Sequence, residues 1–307
     1  AIVVEGASDS WVYLYIHDGV AELRDAAYLL GKDTWETEDA IKGELGLTER
    51  GASVVGIGPA GENLVKFAAI VGDHGHVVAH NGPGAVMGSK KLKAVVAARG
   101  KTPVPVKDKQ TVSEITKEII RMAKLREPSG YTWGTSMLYG MMTQLGCLPV
   151  RNLTTNTFAQ YESFMGENYR PRLEMKWTPC WSCQAKHCHL VKITDGPYAG
   201  YEGEEPEYEG LAAFGSVIGQ TDVMAAIMLS NEIDKLGMDA NEGGWLISML
   251  MECYEKGIID KNYLDGIEFT WGNVEATRQL LYKIARRDGV GDTLAEGVMR
   301  TAQSIGG

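Results

Sequence analysis

Trp11-Val-Tyr-Leu-Tyr-Ile16, followed by Asp18-Gly19 and Val20-Ala-Glu-Leu23, reads as two strands joined by a tight turn. Aromatic and β-branched side chains favour a pleated surface, and Asp-Gly supplies the left-handed dihedrals that a two-residue hairpin requires. Ala52 to Gly58 and Lys93 to Ala98 have the composition of buried strands, and the opening Ala1-Ile-Val-Val reads the same way. Thr37 to Lys42 reads as a short helix closed by Gly43. The first hundred residues are therefore expected to be mostly β.

A polar, proline-containing connector from Gly100 to Lys109 ends that pattern. Thr111 and Glu114 then have capping-box spacing, and Ile115, Ile119, Ile120 and Ala123 mark one apolar helix face. Further helices are expected over Asp222 to Leu236, Trp245 to Lys256 and Val274 to Arg287, followed by Gly237, Gly257 and Gly289. The fold class expected is α+β, with a β-rich domain over residues 1–104 and a mostly helical domain over 105–307.

A net charge of −10 argues against a nucleic-acid binder, which needs a basic footprint. No stretch is apolar and long enough to span a bilayer, and no signal-peptide pattern is present. Five cysteines, clustered rather than spread, suggest a reducing compartment with a metal site rather than a disulfide framework. The chain has no initiator Met, and both ends read as cut edges, so an internal part of a larger protein is expected.

The chemistry concentrates in four places. The first is Cys180-Trp-Ser-Cys183 with Cys188, flanked by His187 and His189. Thiolates are the ligands that zinc and iron–sulfur clusters prefer. This set lacks one ligand of four, so a nearby histidine or a distant cysteine must complete it. On spacing alone a Cys3His zinc site in a structural or binding protein stands level with an iron–sulfur site, catalytic or purely electron-carrying.

The second place is Asn81-Gly-Pro-Gly84-Ala-Val-Met-Gly88-Ser-Lys90-Lys91. Glycines let backbone N–H groups approach an anion, and Ser89 and Lys90 would add a hydroxyl and a charge. The spacing is not that of a Walker A loop, and a structural turn is an equal reading. His80 abuts this loop, whereas His74 and His76 taken alone read as structural. The third place is Asp234-Lys-Leu-Gly-Met238-Asp239. A helix end capped by Gly237 explains the glycine but not two acids near the negative end of a helix dipole. A donor-rich ligand would offset them. The fourth is Glu207-Tyr-Glu209. Glu202, Glu204 and Glu205 are expected to be solvated. The apolar run from Gly210 is expected to bury Glu209 and raise its pKa for acid–base work. Cys147, beside Leu148-Pro149, is expected to be a buried structural thiol, with an approach to the metal as the alternative, and Cys253 reads as helix core.

In combination these segments resemble the aldehyde ferredoxin oxidoreductase family of tungsten enzymes. Ile57-Gly-Pro-Ala-Gly-Glu-Asn-Leu-Val-Lys-Phe-Ala, Gly84-Ala-Val-Met-Gly-Ser-Lys-Lys-Leu-Lys-Ala-Val95, Leu148-Pro-x-Arg-Asn152, the cysteine run, Glu207-Tyr-Glu209 and Asp234-x-x-Gly-Met-Asp239 occur in the family's order. The resemblance implies the second half of a β-rich pterin-binding domain, then a helical domain. It implies tungsten (or molybdenum) held by two molybdopterins, magnesium bridging their phosphates, and a 4Fe–4S cluster. Cys180, Cys183 and Cys188 would be three cluster ligands, with the fourth on another part of the protein. Asp234, Met238 and Asp239 would meet one pterin. His80, Asn81, Gly82, Gly84, Ala85, Gly88, Ser89 and Lys90 would meet the other. Glu209, with Glu207 as the fallback, would stand near tungsten.

The activity implied is oxidation of an aldehyde to a carboxylic acid, with electrons passing to ferredoxin or an electron-transfer subunit. The alternative is reduction of an acid or an aromatic acyl-CoA. The resemblance also admits a homo-oligomer. The chain departs from the family in one extra residue before Cys188 and in Ala79-His80-Asn81-Gly82, where the family reads Gly-Arg-Gly-Gly.

Overall fold

The structure, a computed structural model, describes residues 2–126, 128–180, 183 and 187–306. Ala1, and Trp181 and Ser182 of the cysteine run, lie outside the described residues. Along the chain come β1 (Val12–His17), β2 (Val20–Asp25), α1 (Thr34–Leu45), β3 (Ala52–Gly56), α2 (Pro59–Glu62), β4 (Ile70–Gly72), β5 (His76–Val78), α3 (Pro83–Ser89) and β6 (Leu92–Ala98). Next are α4 (Lys109–Arg126), α5 (Pro128–Trp133), α6 (Leu138–Gln144), α7 (Gly166–Tyr169), β7 (Leu173–Trp177), β8 (His189–Ile193) and β9 (Glu202–Glu204). Last are α8 (Tyr208–Ala213), α9 (Val223–Leu236), α10 (Ala240–Glu255), α11 (Val274–Arg286), α12 (Gly291–Leu294) and α13 (Val298–Ile305). The fold class is α+β.

Two compact units result: Ala1–Thr102 with Asn231–Gly307, and Pro103–Ser230. The sequence reading divides the chain once, near residue 104. The structure also returns the last three long helical segments to the first unit, with the second changeover inside α9.

In the first unit a six-stranded sheet runs β2-β1-β6-β3-β4-β5. Only β1 and β6 pair in parallel. Asp18 and Gly19, at φ 45° and 83°, form the expected two-residue turn and pair His17 with Val20. β3 alternates buried and exposed residues, as a strand with one covered face must. Tyr13, Val54, Ala94 and Val96 face Leu29 and Ile41 in the core on that side. α1 is longer than its sequence signal. Asp33 and Glu36 form a capping box, and the left-handed residue that ends the helix is Gly46, at φ 64°, not Gly43. Ile2 to Val4 form no strand, and Val3 is 82% exposed. Apolar composition at a chain end does not make a strand without a partner to pair with.

In the second unit a three-stranded antiparallel sheet runs β7-β8-β9. The cap of α4 is Asp108, whose carboxylate accepts from the Thr111 N–H at 3.0 Å and from its hydroxyl at 2.7 Å. The helix thus starts a turn before the Thr111–Glu114 pair. α4 buries none of its residues, and Ile115 and Ile119 are exposed.

Candidate cofactor and metal sites

Segment Lys66 to Ala69 joins three distant motifs of the first unit. The Ala69 N–H donates to Gly237 O at 2.8 Å, the Asp239 N–H to Phe67 O at 2.9 Å, and the Gly84 N–H to Ala68 O at 2.9 Å. Ala68 and Met238 form an isolated β-bridge. Backbones this close exclude side chains. A Cβ on Gly58 would lie 2.4 Å from Leu236 O, on Gly84 2.4 Å from Ala69 O, and on Gly88 1.9 Å from Gly61 O. Close packing therefore accounts for these glycines without a ligand. Ser89 and Lys90 are also engaged within the chain. The Ser89 hydroxyl donates to Val86 O at 2.7 Å and the Lys90 ammonium to Gly6 O at 2.8 Å. Ala85 is half-buried on α3.

His80, Asn81 and Gly82 are consecutive left-handed residues at φ 59°, 61° and 67°. Non-glycine residues held there cost about 1–3 kcal/mol each and cluster at functional sites. The His80 N–H donates to Asp239 Oδ2 at 3.1 Å, and His80 Nδ1 lies 3.1 Å from the same oxygen. His80 itself is exposed. Beside this turn, Val55, Ile70, Met87 and Val95, with His80 and Lys90 as polar groups, line an open cleft of about 580 Å³.

The two aspartates separate into different roles. Gly237, at φ 76°, ends α9 with bonds to Asp234 O and from Met238 to Ile233 O, the pattern of a Schellman motif. Asp239 belongs to the next helix, capping α10 by accepting the Asn241 and Glu242 N–H groups at 2.8 and 3.4 Å. An acid is favourable at that helix end. Asp234 is not explained this way. Burial, then the charge of Asp239, pushes its carboxyl well above the usual carboxylate range. No described residue donates a hydrogen bond to it. A ligand edge rich in N–H groups would stabilise the ionised form that the protein alone disfavours, so the residues fit a pterin here.

In the second unit the cysteines lie on the loop that closes the β7–β8 hairpin. Pairing reaches Trp177 and His189, and the Thr178 N–H extends the ladder to Cys188 O at 3.1 Å. The Cys183 N–H donates to Cys180 O at 2.9 Å. Cys180 is exposed, and Cys183 and Cys188 are partly buried. Burial, and then the negative surroundings of Glu204, Cys180 and Glu207, push the Cys188 thiol up. Crowded thiols among carboxylates form a donor set that a cationic metal or an iron–sulfur cluster fits.

His189 does not complete that set. It is buried, with Nδ1 2.9 Å from Glu205 Oε2. Glu205 is also buried, against the expectation of a solvated side chain. It accepts from Arg170 at 2.6 and 3.0 Å and from the Tyr169 hydroxyl at 2.9 Å. Burial alone would raise this carboxyl, but the bonds from His189, Arg170 and Tyr169 hold it below the usual range. No short-range pattern announced Arg170 or Glu205; β8–β9 pairing brings the segments together.

Glu209 is exposed, which corrects the expectation of burial. It lies in the first turn of α8, where Gly210 to Ala213 form the buried side. Glu207 is likewise exposed; the Thr135 hydroxyl donates to its Oε2, and His187 Nε2 lies 3.3 Å from its Oε1. Cys147 is exposed rather than buried, following the left-handed Gly146, and Cys253 is partly buried. Arg151, Asn152 and Leu153 form a second left-handed run, tied to Ser216 O and Val217 O at 2.9 and 3.1 Å.

Residues 1–99 match the family model of the aldehyde ferredoxin oxidoreductase N-terminal domain, and residues 110–307 match that of its domains 2 and 3. The chain belongs to the aldehyde ferredoxin oxidoreductase family. The tungsten-containing aldehyde ferredoxin oxidoreductase of Pyrococcus furiosus is 38% identical over 310 residues, covering 100% of this chain and 50% of that protein. The same-named protein of Thermococcus kodakarensis is 39% identical over the same shares. The WOR-like subunit of an aliphatic sulfonate oxidoreductase from Pyrococcus furiosus is 33% identical, covering 99% of this chain and 50% of that protein. The chain spans about half the length of the curated relatives it matches. Among solved structures, the active-site complex BamBC of benzoyl-coenzyme A reductase, in complex with 1,5 dienoyl-CoA, matches with a TM-score of 0.81 and 27% identity. The match covers 98% of this chain and 46% of that one. No helix among the described residues is long and apolar enough to cross a membrane.

Proposed function

We propose that the chain is the cofactor-holding part of a tungsten–pterin oxidoreductase that oxidises an aldehyde to a carboxylic acid. The observation that carries this reading is the Asp234 carboxyl, without a described donor and under the charge of Asp239, which holds the strained His80–Gly82 turn. Family membership and the names of the relatives support it. When bound, tungsten (or molybdenum) would take up the two electrons, and a 4Fe–4S cluster would pass them singly to ferredoxin or a partner subunit.

The chain's own residues would bind, orient and move protons. Asp234 would accept from the N–H edge of one pterin, with Met238 and the Asp239-fixed turn shaping its seat. His80, Asn81, Gly82, Gly84, Ala85, Gly88, Ser89 and Lys90 would form the wall for the other pterin and an associated magnesium ion. Cys180, Cys183 and Cys188 would hold the cluster, with the fourth ligand supplied by the remaining domains of the same protein. Glu207, oriented by Thr135 and His187, and Glu209, exposed one turn on, are the candidates to handle the substrate proton. A cytoplasmic location and a homo-oligomer belong to the same reading.

The likeness to benzoyl-coenzyme A reductase favours a second reading within the family, reduction of an acid or an aromatic acyl-CoA thioester. Metal analysis of anaerobically purified protein tests both. Tungsten with about four irons, the content of one cubane, supports the cofactor pair, and assays with an aldehyde and with an aromatic acyl-CoA then separate the two directions. Iron without tungsten would leave an electron-transfer module. Zinc with neither would sink the oxidoreductase reading.

A further inference from the structure

Arg287 ends α11 in a left-handed conformation, at φ 52° and ψ 40°, where glycine is the unstrained residue. Its side chain does what glycine cannot. Nε donates to Asn63 O at 2.7 Å. Nη1 donates to Asp292 O and Oδ1 at 3.2 and 2.8 Å, and Nη2 to Leu64 O and Glu296 Oε1 at 3.0 and 2.8 Å. These bonds match the full donor count of a guanidinium. The two carboxylates fix the planar fork, and the fork fixes two backbone carbonyls more than two hundred residues away in sequence.

Those carbonyls belong to the turn after α2. Leu64 in that turn is itself left-handed, at φ 56°. The same turn is fastened to the Arg287 region twice more. The Asn63 side-chain amide donates to Ala285 O at 3.0 Å, and the Lys66 N–H donates to Ala295 O at 2.9 Å. Lys66 is also where the proposed pterin seat begins. A Cβ on Gly82 would lie 2.2 Å from Lys66 O, so the His80–Gly82 turn rests on this residue's backbone. Phe67 O then takes the Asp239 N–H. The turn held by Arg287 therefore runs directly into the strip that orders both His80–Gly82 and Asp239.

We propose that Arg287 is a positioning residue for that strip, and through it for the pterin seat; the second part rests on the function proposed above. It touches no cofactor. It fixes the backbone of 63–66, so that Lys66 O and Phe67 O stand where the seat needs them. Lysine cannot replace it, because one ammonium is a point charge without the planar fork that meets two carbonyls and two carboxylates together.

Hydrogen exchange of the cofactor-free, full-length protein reads the positioning, and the pterin and tungsten content of the anaerobically purified enzyme reads its consequence. Arg287→Gly relieves the left-handed strain and removes only the fork. It should speed exchange at the Ala69, Gly84 and Asp239 N–H groups by at least about tenfold relative to those of β6. The variant should also lose pterin on gel filtration that the parent retains. Arg287→Lys should behave like Arg287→Gly. Ile41→Ala, in the core on the α1 side of the sheet, should lower the unfolding midpoint without the selective exchange and should keep its pterin. Seat amides no faster than those of β6 in folded Arg287→Gly, rescue of both readouts by lysine, or faster exchange with pterin fully retained would overturn the proposal. A parent that holds no pterin would sink the function proposed above, whereas selective exchange in its Arg287 variants would still support the positioning of the strip.

Discussion

A hydrogen atom where other residues carry a methyl group lets Gly58 meet the end of α9, because a Cβ there would stand 2.4 Å from Leu236 O. Gly58→Ala should therefore lower stability by about 1–3 kcal/mol or more. An unchanged urea midpoint would rule out the contact. The glycine run was plain in the sequence, but its cause was not, since packing and anion binding call for the same residue. Asp234 carries the opposite lesson. Two aspartates looked alike on the page, yet Asp239 satisfies a helix start and Asp234 satisfies nothing described. Its folded pKa lies above the ordinary 3.8, so the folded state binds more protons than the unfolded one between those two values. Stability contributed by this group falls as pH rises through that interval. In cofactor-free protein, Asp234→Asn should thus be more stable than the parent at neutral pH. The advantage should fade toward the ordinary pKa, and pterin retention should fall. Denaturation curves across that pH range decide the first point, and a parent more stable than the variant at neutral pH would refute it.

At the scale of elements, the β7–β8 hairpin rests on the Tyr169–Arg170–Glu205–His189 cluster. The folded pKa of Glu205 is depressed below the ordinary 4.5, so its contribution is present above 4.5 and lost as pH falls through the folded value. Glu205→Gln leaves Arg170 without its charge partner and should cost about 3 kcal/mol at neutral pH. It should also flatten the acid side of the stability profile, which equilibrium unfolding of both proteins would reveal. Strands β1, β3 and β6 and the C-terminal helices were legible because local pattern and burial agree there. α4 was legible as a helix, yet its apolar stripe buries nothing within this chain. The cluster itself was invisible, because its members come from three segments that only sheet pairing and the turn after α7 bring together.

For the whole molecule, the change of period reads as one boundary near residue 104, and nothing in that pattern announces the grouping of 231–306 with the first unit. Helical periodicity says which face is buried and not what buries it. The ordered motifs were legible as a set, since each alone admits a bland turn or cap. That same return fixes a schedule. Lys66 to Ala69 meets Gly237 and Asp239 across about 170 residues of chain, and at roughly 5–20 residues per second a ribosome needs on the order of ten to thirty seconds to make them. During that interval the leading sheet waits with this seam open. Nascent chains stalled before residue 230 should be cut by protease between 60 and 70, where the completed chain resists; equal resistance would mean that the seam closes some other way. The seat proposed for the pterin would then be the last part of its unit to close, and the open interval is the natural moment for a large ligand to enter.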